Sequence, residues 1–120
     1  NHPAYLNAYA YTLALQNHHL DQARQYAEQA LEMEPDQASI LDTLGFVAYL
    51  QNDFATAAQA LQRAYDLSGN PSIGVRYARA VYMQGDLSNF SAILKQLQQK
   101  HPNDAALEPL NSLLLPKTIH

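Results

Sequence analysis

Apolar residues recur along the chain at helical spacing, in segments that are separated by short polar breaks. In the stretch from Leu41 to Phe54 the large aliphatic side chains fall at intervals of three or four residues, which places them on one face of a helix. Breaks rich in asparagine, aspartate, glycine, histidine or proline occur near residues 18, 35, 52, 69, 85 and 102. This punctuation predicts six helices, and a further apolar stretch predicts a seventh from Asp104 to Leu115. The expected fold class is all-α.

Gly45 lies inside one of these predicted helices, where glycine costs about 1 kcal/mol relative to alanine. Without a Cβ atom, the backbone allows a second helix to approach closely. We expect that second helix to be the next one along the chain, near Ala57. On this interpretation, Gly45→Leu should be destabilising, whereas Gly45→Ala should be tolerated.

Small residues recur with a period near 34 residues, which indicates an internal repeat. Each repeat consists of a first helix, called helix A, and a second helix, called helix B. The small residues that recur are Ala10, Gly45 and Ala78 in the A helices, and Ala23, Ala30, Ala57 and Ala64 in the B helices. Pro35 and Pro102, which end helix B, are 67 residues apart, or two periods. The predicted boundaries are residues 3–36, 37–70 and 71–103, followed by a helix over 104–115.

This pattern resembles the tetratricopeptide repeat (TPR) over nearly the whole chain. The resemblance implies a right-handed α-α superhelix of three helix pairs with a C-terminal capping helix. It also implies that the small residues set the close approach of helix A and helix B. The third repeat departs from the pattern: Phe90 replaces the alanine, and Gly74 stands where the other repeats have leucine. Terminal repeats are often atypical because they face a cap.

Charge and composition argue against several classes of function. The formal net charge is −4, which is a poor match for a nucleic-acid backbone. No apolar run approaches the roughly 20 residues that span a bilayer, so we expect no membrane insertion of this segment. The chain has no cysteine, no glycine-rich phosphate loop and no recognisable catalytic constellation. His18 and His19 lack a third ligand at a recognised spacing, so a solvated turn is the expected reading. We therefore expect no enzyme activity, no cofactor and no metal site.

The TPR resemblance implies that the A helices line a concave groove, and helical spacing then selects the side chains that point into it. The candidate binding residues are Tyr11, Phe46, Tyr49, Arg76, Arg79 and Tyr82. Aromatic residues and arginine often carry binding energy at protein interfaces, and arginine holds carboxylates well. Two alternatives remain open: the rings could pack between neighbouring A helices, and the arginines could form ion pairs.

Some members of the family bind acidic C-terminal tails through a clamp of basic and asparagine residues. The corresponding places here are held by Asn7, Tyr11, Thr43, Ser72 and Arg76. Since only Arg76 is of the required type, we do not expect that specific function.

The expected function is therefore protein–protein interaction, with a peptide or protein segment bound in the concave groove. The alternative is a structural spacer within a longer TPR array, with possible self-association through the repeat ends. The segments Leu6 to Ala14 and Ile40 to Leu67 resemble a bacterial style of these repeats that is associated with envelope or exported proteins. That resemblance favours the periplasm or envelope over the cytoplasm, and the start at Asn1 suggests a segment of a larger protein.

Overall fold

The computed structural model describes residues 2–113, and every regular element in that range is helical. The helices are α1 (Pro3–Leu15), α2 (Leu20–Met33), α3 (Ala38–Leu50), α4 (Phe54–Ser68), α5 (Pro71–Met83), α6 (Leu87–Lys100) and α7 (Glu108–Leu113). A short 3-10 helix, Ala105–Leu107, leads into α7. The all-α fold of three helix pairs and a C-terminal helix is confirmed. The predicted end of that last helix, at Leu115, lies outside the described residues.

Side chains in the polar breaks fix where the helices begin. Asp53 and Asp86 cap α4 and α6, and each accepts a hydrogen bond from the backbone N–H three residues later, at 3.2 and 3.1 Å. Asn70 caps α5 by accepting a hydrogen bond from the backbone N–H of Ser72, two residues later, and is followed by Pro71, whose ring suits the first helical position. Gly69 ends α4 with a φ of 66°, which glycine adopts without strain. The predicted breaks are therefore the true helix boundaries.

The helices stack in chain order into an elongated body of 52 × 27 × 21 Å. Each of the six repeat helices packs against the next, and the A helices also touch one another, α1 against α3 and α3 against α5. The three A helices therefore form one side of the stack. The B helices, α2, α4 and α6, form the other.

The small residues identified from the repeat lie where helices cross. Those in the A helices are all buried, and the four alanines of the B helices are fully inaccessible. Because alanine adds only one methyl group, the helix axes can approach closely at these points. The repeat of small residues is thus a repeat of close contacts.

Gly45 makes one of these contacts, and its neighbour is Leu61 of α4. A Cβ atom added to Gly45 would lie 2.5 Å from Cγ and 2.7 Å from Cδ2 of Leu61. Close approach to helix B was expected near Ala57, four residues earlier. Leu61 is itself only 1% exposed, so it has little room to move away. The expectation that alanine is tolerated at position 45 is therefore revised.

In the third repeat, a large residue stands where the other repeats have a small one, and a small residue stands where they have a large one. Phe90, in the place of an alanine, is fully buried, and it is among the largest side chains with no access to solvent. Gly74, in the place of a leucine, leaves room for Leu97 of α6 and Tyr65 of α4, which a Cβ atom would meet at 2.6 and 3.0 Å. The irregular third repeat is therefore close-packed by other side chains.

We expect Gly45→Ala to lower the free energy of unfolding, measured by chemical denaturation. Overpacking against Leu61 costs about 1–3 kcal/mol. That cost outweighs the gain in helix propensity of about 1 kcal/mol.

A double-mutant cycle isolates the contact. In a Leu61→Ala background the new methyl group has space, so Gly45→Ala should become neutral or stabilising. If Gly45→Ala had the same effect in both backgrounds, the clash with Leu61 would not be its cause.

Candidate functional site

Two depressions follow the side of the molecule formed by α1, α3 and α5, and we call this side the groove. The first, between α1 and α3, has a volume of about 470 Å³ and a lining of mixed polarity that includes Asn7, Tyr11, Asp42 and Thr43. The second, between α3 and α5, has a volume of about 160 Å³. Its lining residues are Phe46, Tyr49, Leu61, Arg76 and Arg79.

The second depression brings together four of the six candidate residues. Phe46 and Tyr49 come from α3 and lie one helical turn apart, while Arg76 and Arg79 come from α5 with the same spacing. Leu61 of α4 also lines it, because Gly45 has no side chain to separate α4 from this surface. The result is an apolar depression with two guanidinium groups along one edge.

The two arginines have different surroundings. Nη1 of Arg76 donates to both carboxylate oxygens of Asp42, at 3.0 Å each, so its charge is engaged by the neighbouring A helix. Arg79 is exposed, and within residues 2–113 it makes no ion pair. Of the two, Arg79 is therefore the one whose charge is available to an incoming group.

The remaining aromatic candidates pack partly against other rings. Tyr11 is 44% exposed, and its ring centroid lies 5.9 Å from that of Phe46, so it connects the two depressions. Tyr49 meets the edge of Phe54 at 5.2 Å while it still lines the second depression. Tyr82 packs against Phe90 of α6 at 5.1 Å and does not line that depression. Tyr11 and Phe46 thus pack between neighbouring A helices, whereas Tyr49 and Tyr82 pack against rings of the B helices.

The carboxylate of Asp42 lines the first depression and pairs with Arg76, which lines the second. Burial raises the pKa of Asp42, because a partly desolvated carboxylate is harder to ionise, and the positive charge of Arg76 opposes this rise. Nearby, the side-chain oxygen Oδ1 of Asn7 is buried without a hydrogen-bond partner among the described residues. Both groups line the first depression, which therefore contains a carboxylate and an unpaired amide oxygen.

The sequence reasoning missed two features of this site, namely the pairing of Asp42 with Arg76 and the contribution of Leu61. The pair Asp42 and Arg76 carries opposite charges 34 residues apart, which is one repeat period, and that spacing places them on adjacent A helices. This signal could have assigned the ion pair in advance. Leu61 gave a weaker signal, since it is a leucine in the place of Ala27 and pairs with the one glycine at the small A-helix position.

Other kinds of site find little support in the part of the chain that the structure describes. Within residues 2–113 no three side chains of histidine, aspartate or glutamate come together as metal ligands. None of the described helices is both long and apolar enough to cross a membrane.

Comparison with known proteins identifies the repeat. Two family models, both described as tetratricopeptide repeat, match the chain over residues 12–72 and 48–111. Each match covers just over half of the 120 residues, and together they run from α1 into α7. No curated protein matches the chain.

The electrostatics of Asp42 predict an unusual dependence of stability on pH. Since burial raises its pKa above the ordinary 3.8, the folded chain holds this proton more tightly than the unfolded chain does. The contribution of Asp42 is thus complete below that value and is lost as pH rises through the folded pKa. We expect the stability of Asp42→Asn, relative to the parent chain, to increase as pH rises across this window.

Asp53 provides a matched control of opposite sign. Hydrogen bonds from Arg24 and Thr56 lower the pKa of Asp53, so its contribution is present above the ordinary value and is lost as pH falls. Asp53→Asn should therefore lose stability, relative to the parent chain, as pH rises from the lowered pKa of Asp53 to the ordinary 3.8, a window that lies below that of Asp42. Denaturation curves at several pH values that showed the same trend for both variants would contradict these assignments.

Proposed function

Because the chain belongs to the tetratricopeptide repeat family, whose repeats generally act as protein–protein interaction modules, we propose that it binds a segment of a partner protein in the groove. The family is a non-catalytic scaffold family.

The observation that carries the proposal is the depression between α3 and α5. An apolar side chain of the partner would fill its 160 Å³ and contact Phe46, Tyr49 and Leu61. Burial of an apolar side chain in such a pocket is worth about 1.5–3 kcal/mol. Shape and polarity therefore favour leucine, methionine or an aromatic residue at this point of the partner.

Arg79 is the second feature that supports the proposal, because it can bind an acidic group of the partner. It lies on the edge of the same depression and has no ion-pair partner among residues 2–113. A carboxylate next to the partner's apolar side chain would accept hydrogen bonds from its guanidinium group. Arg76 is less suitable, because release from Asp42 would leave a half-buried carboxylate unpaired.

The first depression would hold the continuation of the partner segment. The unpaired Oδ1 of Asn7 can accept a hydrogen bond from a partner N–H group, which would remove the cost of a buried, unsatisfied acceptor. Tyr11 and Phe46 touch each other between the two depressions, so the segment would cross the groove over these two rings. The proposed ligand is thus a segment with an apolar residue and an acidic residue at one end and free backbone donors at the other.

A random-peptide library displayed on phage and selected against the chain tests this proposal. The selected peptides should pair an apolar with an acidic residue. Their binding should weaken about 5–30-fold in Phe46→Ala and in Arg79→Ala, which corresponds to about 1–2 kcal/mol. The loss in Arg79→Ala should shrink as salt is raised, while the loss in Phe46→Ala should not.

Arg63→Ala is the matched control, because Arg63 is an exposed arginine on α4 that pairs with Asp36 and lines neither depression of the groove. Its affinity for the selected peptides should equal that of the parent chain. Undiminished binding in both groove variants would remove the groove from consideration and favour the alternative, a structural spacer within a longer repeat array.

A further inference from the structure

The depression between α3 and α5 is lined by two arginines, and a carboxylate compensates the charge of one of them. Arg76 and Arg79 both line this depression. Asp42 lies one helical turn before Phe46 on α3, lines the neighbouring depression and pairs with Arg76. The pair contributes no net charge, so Arg79 supplies the positive charge that an acidic group at this point would meet.

The contact between Asp42 and Arg76 withholds a charge rather than all of the hydrogen-bond donors. Nη1 of Arg76 donates both hydrogen bonds to the carboxylate, at 3.0 Å each. A guanidinium group has five N–H donors, so the other nitrogens of Arg76 keep theirs. Its positive charge, however, is already matched by a carboxylate at ion-pair distance.

Separating this pair is costly for any ligand. The side chain of Asp42 is only 23% exposed, and burial raises its pKa because the ionised form is poorly solvated. A ligand that drew Arg76 away would leave this carboxylate without its counter-ion. The same ligand would bring a second negative charge close to the carboxylate. This penalty falls on acidic groups that need both arginines, and a group that needs only Arg79 avoids it.

Building on the groove proposed above, we propose that Asp42 determines the charge of the partner group that the groove accepts. By compensating Arg76, it favours a single carboxylate and disfavours a phosphate group. A carboxylate carries one negative charge, which Arg79 alone can match. A phosphorylated side chain carries about −1.5 to −2 at neutral pH, and clusters of arginine bind it best. The groove therefore fits an acidic segment rather than a phosphorylated one.

Isothermal titration calorimetry near neutral pH tests the role of Asp42 with one peptide in two forms. A peptide selected on the parent chain is synthesised with glutamate or with phosphoserine at its acidic position. In the parent chain, phosphoserine should give no gain in affinity over glutamate. Asp42→Asn keeps an oxygen for Nη1 of Arg76 but removes the negative charge, so the preference for phosphoserine should rise by about tenfold. Asp42→Ala should give the same change, and melting curves check that both variants fold.

Two further variants separate a local effect from a change in overall charge. Adding Arg76→Ala to Asp42→Asn should abolish the preference for phosphoserine, because the released cation is then missing. Asp36→Asn is the matched control: Asp36 is an exposed aspartate that pairs with Arg63 and lines neither depression. It changes the net charge by the same amount and should behave like the parent chain. An equal rise in Asp36→Asn and Asp42→Asn would assign the effect to overall charge and overturn the proposal.

The role of Asp42 and the groove itself can fail separately. The proposal for Asp42 would be overturned by a phosphoserine preference that is the same in the parent chain and in Asp42→Asn. If both peptide forms still bound more weakly to Phe46→Ala and Arg79→Ala, the groove would remain the binding site. Peptides that bind these two variants as tightly as the parent chain would overturn the groove and the role of Asp42 together.

Discussion

The contact between Gly45 and Leu61 governs both the packing of the second repeat and the shape of the groove. Without a side chain at position 45, α4 approaches α3 until Leu61 lies where a Cβ atom would otherwise be. The same leucine then lines the depression between α3 and α5. A residue of helix B thus contributes to a surface built mainly from A helices. The cost of glycine in a helix is offset by this packing.

The stacking of the repeats determines which charged side chains of adjacent A helices pair with each other in the groove. Asp42 and Arg76 stand on adjacent A helices and neutralise each other at 3.0 Å, although burial still makes Asp42 harder to ionise. Arg79, one turn beyond Arg76, stays exposed at the edge of the apolar depression. The ion pair therefore lies between a half of the groove with a mixed lining and an apolar half in which Arg79 is exposed. A partner that satisfies both halves needs a defined order of chemical groups along its length.

Repeat architecture also explains why α1 differs from its counterparts. An A helix inside the stack contacts the helix B before it and the helix B after it, as α3 does with α2 and α4. In the described residues α1 has only the second of these contacts, and Tyr5 stands where the other repeats bury Ile40 and Ile73. Stability in such proteins comes largely from contacts between neighbouring repeats.

The sequence by itself determined the helices, their boundaries and the period of the repeat, because these depend on local spacing, on capping side chains and on glycine and proline. It also identified the small residues at the helix crossings. Of the residues that line the depression between α3 and α5, it identified Phe46, Tyr49, Arg76 and Arg79. Only the tertiary structure decided which side chain meets Gly45, that Arg76 is paired while Arg79 is not, and that Tyr82 packs against Phe90. These outcomes depend on the offset between helices from different repeats. A shift of a single residue in that offset selects a different partner, and a local pattern in the sequence does not specify it.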